Sequence, residues 1–194
     1  MEWALGITEH VNQLTDLRAS LYMGMFSPGT GTLAWSGFVP DLTALEVAMD
    51  KLAVDNRFIA SADMGGSMTV NGADDGLYAV VHGVPSADRS VEYVNTVQAV
   101  CAPGCISQGM EVGMEIAQLA EEITGTPTLF CASMSGAYGS VGWITGFERI
   151  QTMEAGEQAL MSDSRWLDLI DRKAGSTYTA APDVTRQMRW RRIG

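Results

Sequence analysis

The sequence predicts an α+β fold made of two tandem halves, each ordered β-α-β-β-α-β with antiparallel pairing. Three observations carry that expectation. The 194 residues are 46% hydrophobic and 18% charged, the composition of a packed chain of one or two domains. A shift of 108 residues lays Ser20–Ala60 over Thr128–Asp168 without a gap, with 8 of 41 pairs identical. The second half, read alone, alternates strand and helix signals in that order.

The identical pairs are Leu21/Leu129, Ser27/Ser135, Gly31/Gly139, Trp35/Trp143, Glu46/Glu154, Leu52/Leu160, Asp55/Asp163 and Arg57/Arg165. In the second half, 91–100 is rich in Val and Tyr and reads as a strand, broken by Pro103–Gly104. Val112, Ile116, Leu119 and Ile123 recur at helical spacing from Ser107 until Gly125 and Pro127 stop them. Residues 128–134 and 140–147 read as a hairpin around a glycine-rich turn. Ile150, Met153 and Leu160 mark a second helix ending near Asp163, and 184–192 supplies a last strand. This order is the split β-α-β unit of ferredoxin-like folds.

The first half repeats it with one strand missing. Trp3, Ile7, Val11, Leu14 and Leu17 trace a helix, followed by strand 20–26, turn 27–31 and strand 32–38. A helix begun by Asp41 and a strand at 77–83 complete it. No strand precedes the first helix: either the start lies upstream, which is the expectation, or the first half has three strands. The domains are therefore placed at 1–84 and 91–194, joined by a short linker over 84–90.

Composition and charge narrow the function classes. A net charge of −11 opposes nucleic-acid binding, which needs a basic surface to release counterions. No apolar run approaches the roughly 20 residues of a membrane span, and MEWALGITEH lacks the basic start of a secretory signal. The expectation is a soluble, cytoplasmic protein that contacts neither nucleic acid nor membrane. Arg186, Arg189, Arg191 and Arg192 fit a strand with one charged face and a frayed tail, the alternative being an anion or partner contact.

Cys101 and Cys105 form a C-x3-C with no second pair, and Cys131 is remote, so neither a zinc site nor any other metal is expected. A Cys101–Cys105 bridge is open to the sequence but unsupported in a reducing compartment. The glycine-rich turns 27–32 and 135–140 lie between strands and lack the Lys-Ser/Thr of a phosphate loop. The 12 methionines fit adaptable core packing better than a cofactor box, and no cofactor is expected.

The strand tryptophan, the helix after it and an Asp-x-Arg-aromatic close occur twice, as 35–58 and 143–166. There the sequence resembles the dimeric α+β barrel superfamily, in the flavour of NIPSNAP-like and antibiotic-biosynthesis-monooxygenase-like domains. The resemblance covers most of both halves. It implies two sheets packed face to face, here as a barrel within one chain. It also implies a pocket between sheet and helices, with cofactor-free oxygenase or isomerase chemistry on a small apolar or aromatic compound. Fold alone does not settle function.

The candidates for such a site follow. His10 borders the apolar face of the first helix and His82 ends a strand. Either could shuttle a proton, yet each fits a boundary residue with one nitrogen satisfied. No Ser or Asp stands at a triad spacing to either. Trp35, Trp143 and Tyr22 are candidate ligand contacts, with core packing as the plainer role. Asp55-x-Arg57 and Asp163-x-Arg165 read better as closures of the second helix than as anion clamps, and Glu46 and Glu154 as solvated residues. An active pocket is expected in the second half, between helix 107–123 and the sheet. An open sheet edge in the first half would invite a homodimer. The alternative is a non-catalytic assembly module of the same fold.

Overall fold

The computed structural model describes residues 1–26, 31–70, 73–85, 91–179 and 185–194. Among these, no helix is long and apolar enough to cross a membrane. The chain divides into two units, 1–24 with 28–75 and 192–194, and 25–27 with 76–191.

In the first unit, α1 (Glu2–Leu14) precedes the hairpin β1 (Ser20–Met25) and β2 (Leu33–Ser36). Two helices follow, α2 (Leu42–Ala53) and α3 (Asn56–Met68). As the sequence indicates, Asp41 starts α2, its carboxylate accepting the Ala44 N–H at 2.8 Å. The second helix ends just before Asp55, as expected, but a further helix that was not expected follows at once: Asp55 caps α3 by accepting the Phe58 N–H at 2.7 Å. Asp163 does the same for its own next helix, accepting the Arg165 N–H at 2.8 Å. Each aspartate therefore closes one helix, its N–H donating to Leu52 O or Leu160 O at 3.2 Å, and also opens the next, because a short carboxylate satisfies the free N–H groups of a first turn. The core here is thin: Ala4, Leu21, Ala48 and Leu52 are buried.

Nor does the tail fray as expected. The Leu21 N–H donates to Gly194 O at 2.8 Å and Ile193 N–H to Leu21 O at 2.8 Å, extending β1 by one edge.

The second unit holds β3 (Tyr78–His82), β4 (Tyr93–Val100), α4 (Ile106–Thr124), β5 (Thr128–Ser133), β6 (Ser140–Phe147), α5 (Ile150–Ser162), α6 (Ser164–Asp168) and β7 (Arg186–Arg192). A π-helical turn, Leu169–Ala174, continues α6. Its strands lie in the order β7-β4-β6-β5-β3, all antiparallel. The four from β7 to β5 are the ferredoxin-like arrangement. The strand assigned to the first half, 77–83, instead joins this sheet: Tyr78, Ala79 and Val80 pair with Ser133, Ala132 and Cys131. Sequence order misplaced it, since a strand takes whichever edge offers N–H and C=O partners. The turn at 27–30, the linker at 86–90 and Val184 lie outside the described residues.

The hairpins also differ in register. Leu21 faces Trp35 in the first, whereas Phe130, not Leu129, faces Trp143 in the second. The gapless 108-residue match thus holds for the tryptophans and the capping aspartates but slips by one residue on the preceding strand. Glu46 and Glu154 are exposed, as expected.

Candidate functional site

The space between α4 and its sheet is where an open pocket was expected, and side chains fill most of it. Glycine makes this packing feasible. A Cβ on Gly113 would collide with the Phe130 ring, and one on Gly109 with the Cys101 sulfur. The sheet therefore comes close enough for Trp143 Nε1–H to donate to Gly113 O at 2.9 Å and for Tyr178 O–H to donate to Gly109 O. Trp143 stacks edge-on with Tyr178 at 5.5 Å and tilted against Phe130 at 5.4 Å. Val112, Ile116 and Ala117 close the layer, and Met153 is buried at 4% exposure. Burial raises the Tyr178 hydroxyl far above its ordinary titration range. Trp143 is a core residue here.

What stays open is a cleft of about 200 Å³ at the far end of this layer, beside the β5–β6 turn. Ile106 and Met110 of α4 face Ala132 and Val141 of the sheet across it, with Cys101 and Tyr138 also on its wall. Burial pushes the Cys101 thiol up.

Each histidine meets a carboxylate that sequence spacing did not reveal. His10 Nε2 lies 2.7 Å from Asp55 Oδ1, joining α1 to the start of α3. The His10 contact is the largest influence, ahead of the Phe58 N–H, that holds the Asp55 carboxyl below its ordinary range. His82 Nε2 stands 3.6 Å from Glu121 Oε2, beyond hydrogen-bond length, and is buried without a hydrogen-bond partner. Neither histidine lines the cleft.

Trp35 keeps 42% exposure. Its Nε1–H donates to Thr8 Oγ1 at 2.7 Å, and its ring meets Trp3 edge-on at 5.9 Å. Each strand tryptophan thus ties its hairpin to the first helix of its own unit. Tyr22 is half-buried and, one residue from Leu21 along β1, points to the other face of the hairpin from Trp35. The two do not share a site.

The face of the second unit's sheet turned away from α4 carries groups that sequence reasoning missed. Gln98 Nε2 donates to Tyr78 Oη at 2.9 Å, reaching from β4 to β3 over Gly142 and Cys131. Trp190 Nε1–H donates to Thr96 Oγ1 at 3.0 Å on the same face. Period-2 alternation places Thr96, Gln98 and Trp190 together, but which strands adjoin is not written in the spacing.

No family model matches the chain, and no curated protein matches it. Solved structures do. A protein of Fusobacterium nucleatum named a "putative monooxygenase" superposes over 100% of this chain and 84% of its own, with TM-score 0.66 at 6% identity. An anthrone oxidase-like protein superposes over 99% of this chain and 85% of its own, with TM-score 0.63 at 9% identity. An uncharacterized NIPSNAP-like domain protein from Burkholderia xenovorans aligns with 52% of this chain and 84% of its own, at TM-score 0.44 and 8% identity. The chain shares its overall fold with the first two of these proteins. At such identities the likeness extends to fold and stops there.

Proposed function

We propose that the chain binds a small apolar or aromatic molecule, of one or two rings, in the cleft between the start of α4 and the β5–β6 hairpin. The observation carrying this reading is the cleft itself: about 200 Å³, walled by Ile106, Met110, Ala132 and Val141, with Cys101 and Tyr138 as polar contacts. A dry apolar cavity of about 150 Å³ suffices for benzene, and drug-sized ligands need about 300 Å³ or more. The size therefore favours a compact ring system.

Cofactor-free oxygenase or isomerase chemistry is the finer reading, supported by the names of the structural neighbours. On that reading the ligand would supply its own acidic C–H or O–H, since among the described residues the wall offers thiol and hydroxyl groups and no histidine or carboxylate. A second reading, a non-catalytic module, draws on the same structure: Trp143, Phe130 and Tyr178 occupy the rest of the layer.

Fluorine NMR of fluorophenol and fluoroindole titrated with the protein tests the proposal. Saturable broadening or shift is expected with the native chain, and at least a tenfold loss of affinity in Met110→Trp, which fills the cleft. Absence of saturable binding by either probe overturns it in favour of the non-catalytic module. Oxygen uptake with ligands that bind then separates catalysis from binding alone.

A further inference from the structure

The CAPGC segment puts two thiols on one side of α4. Ala102–Cys105 forms a tight turn, with Cys105 N–H donating to Ala102 O at 2.9 Å, Pro103 at its second position and Gly104 at φ +82°. This is the pattern of a type II turn, which reverses the chain and returns Cys105 toward Cys101. Cys105 then precedes the first residue of α4 as its cap, but its side chain makes no capping hydrogen bond. Gly109 N–H donates to Cys105 O at 2.7 Å, so Cys105 and Gly109 are neighbours one turn apart. The Cys101 sulfur rests in the notch that Gly109 leaves by lacking a Cβ. Cys105 stands one turn before Gly109, so the two cysteines flank the same first turn of α4, close enough for Cys105 to act electrostatically on the Cys101 thiol. Both cysteines are free thiols.

We propose that Cys101 and Cys105 are a redox-active pair that closes into a disulfide on the wall of the cleft when the protein meets a peroxide. The half-buried Cys105 reacts first: its thiolate attacks hydrogen peroxide, the O–O bond breaks, Cys105 becomes a sulfenic acid, and the hydroxide released takes up the proton that Cys105 gave up and leaves as water. The Cys101 thiolate then attacks that sulfur and expels hydroxide, which takes up the Cys101 proton and leaves as a second water. The two thiols give up two electrons and the peroxide accepts both. Closure draws the Cys101 sulfur out of the Gly109 notch and alters the wall beside Ile106. Burial holds the Cys101 thiol above its ordinary range, so the closing step quickens as pH rises. Cys131, buried and pushed up to about 11, is an internal control that stays reduced.

The test is hydrogen peroxide treatment of the whole folded chain, quenching with N-ethylmaleimide, and digestion after glutamate. Peptide 93–111 carries Cys101 and Cys105 without Cys131. The expected product is that peptide, unalkylated and lighter by two hydrogens, about 2 Da, with alkylation of both cysteines restored by dithiothreitol. Cys131 stays alkylatable in the unfolded quench throughout. Cys105→Ser should abolish the mass loss and leave Cys101 reduced. Three results each overturn the proposal: both thiols still alkylated after peroxide, a persistent sulfenic acid on Cys105 with Cys101 reduced, or disulfides joining separate chains.

Discussion

Asp55 serves two donors at once, His10 from α1 and the Phe58 N–H of α3. Both favour the ionised carboxylate, so its pKa in the folded chain is lower than in the unfolded chain. A depressed carboxylate contributes stability that is present above its unfolded pKa and is lost as pH falls through the folded one. Asp163, held chiefly by Arg165, adds to the same acid limb. Urea unfolding between pH 6 and pH 2.5 should therefore show a steep acid loss of stability. Asp55→Asn, which keeps a capping oxygen, should flatten that limb; Asp55→Ala should also lower the midpoint at pH 7. An unchanged acid limb in Asp55→Asn would mean the pair is not formed in solution. The aspartate was legible as a repeated residue beside an aromatic, but its His10 partner was not, because the 45-residue separation carries no periodic signal.

Helices were easier to read than strand pairing. The apolar stripe through Val112 and Ile116 defined α4 because burial on one face leaves a 3.6-residue period in the sequence. The partner of β3 left no such mark, since any strand edge presents the same backbone groups. That edge also has a consequence. β3 pairs with β5 on one side, and no pairing is recorded on its other side among the described residues, while Val80 and Val81 are 37% and 40% exposed. A short exposed edge of this kind accepts another strand, and we propose that it joins two copies of the chain. Light scattering on a sizing column should give twice the 20.8 kDa chain mass at high concentration. Val81→Lys, which places a charge on the edge, should shift the population to monomer. A monomer at every concentration would remove the proposal.

At the scale of the whole chain, the duplication was legible while the unequal packing of its copies was not. The first unit buries Ala4, Leu21, Ala48 and Leu52, whereas the second buries Phe130, Trp143, Tyr178, Ile116, Val141, Leu169 and more. Similar sequence patterns gave different cores because the glycines of α4 let the sheet come close enough to bury Phe130 and Trp143, whereas Trp35 beside α1 stays 42% exposed. Stability should divide accordingly, since burial of apolar area dominates the favourable side of folding. The second unit's sheet from β7 to β3 and its helix layer are supplied almost wholly by residues 76–191. A fragment spanning 76–194 should therefore unfold cooperatively in urea, with its tryptophan emission (Trp143, Trp166 and Trp190) moving to the red in the same transition as the loss of helical circular dichroism. A fragment spanning 1–75 lacks the Ile193 and Gly194 backbone that Leu21 pairs with, and should give a broad, non-cooperative curve. If the fragments behave the other way round, the core around Phe130, Trp143 and Tyr178 does not dominate the stability of the chain.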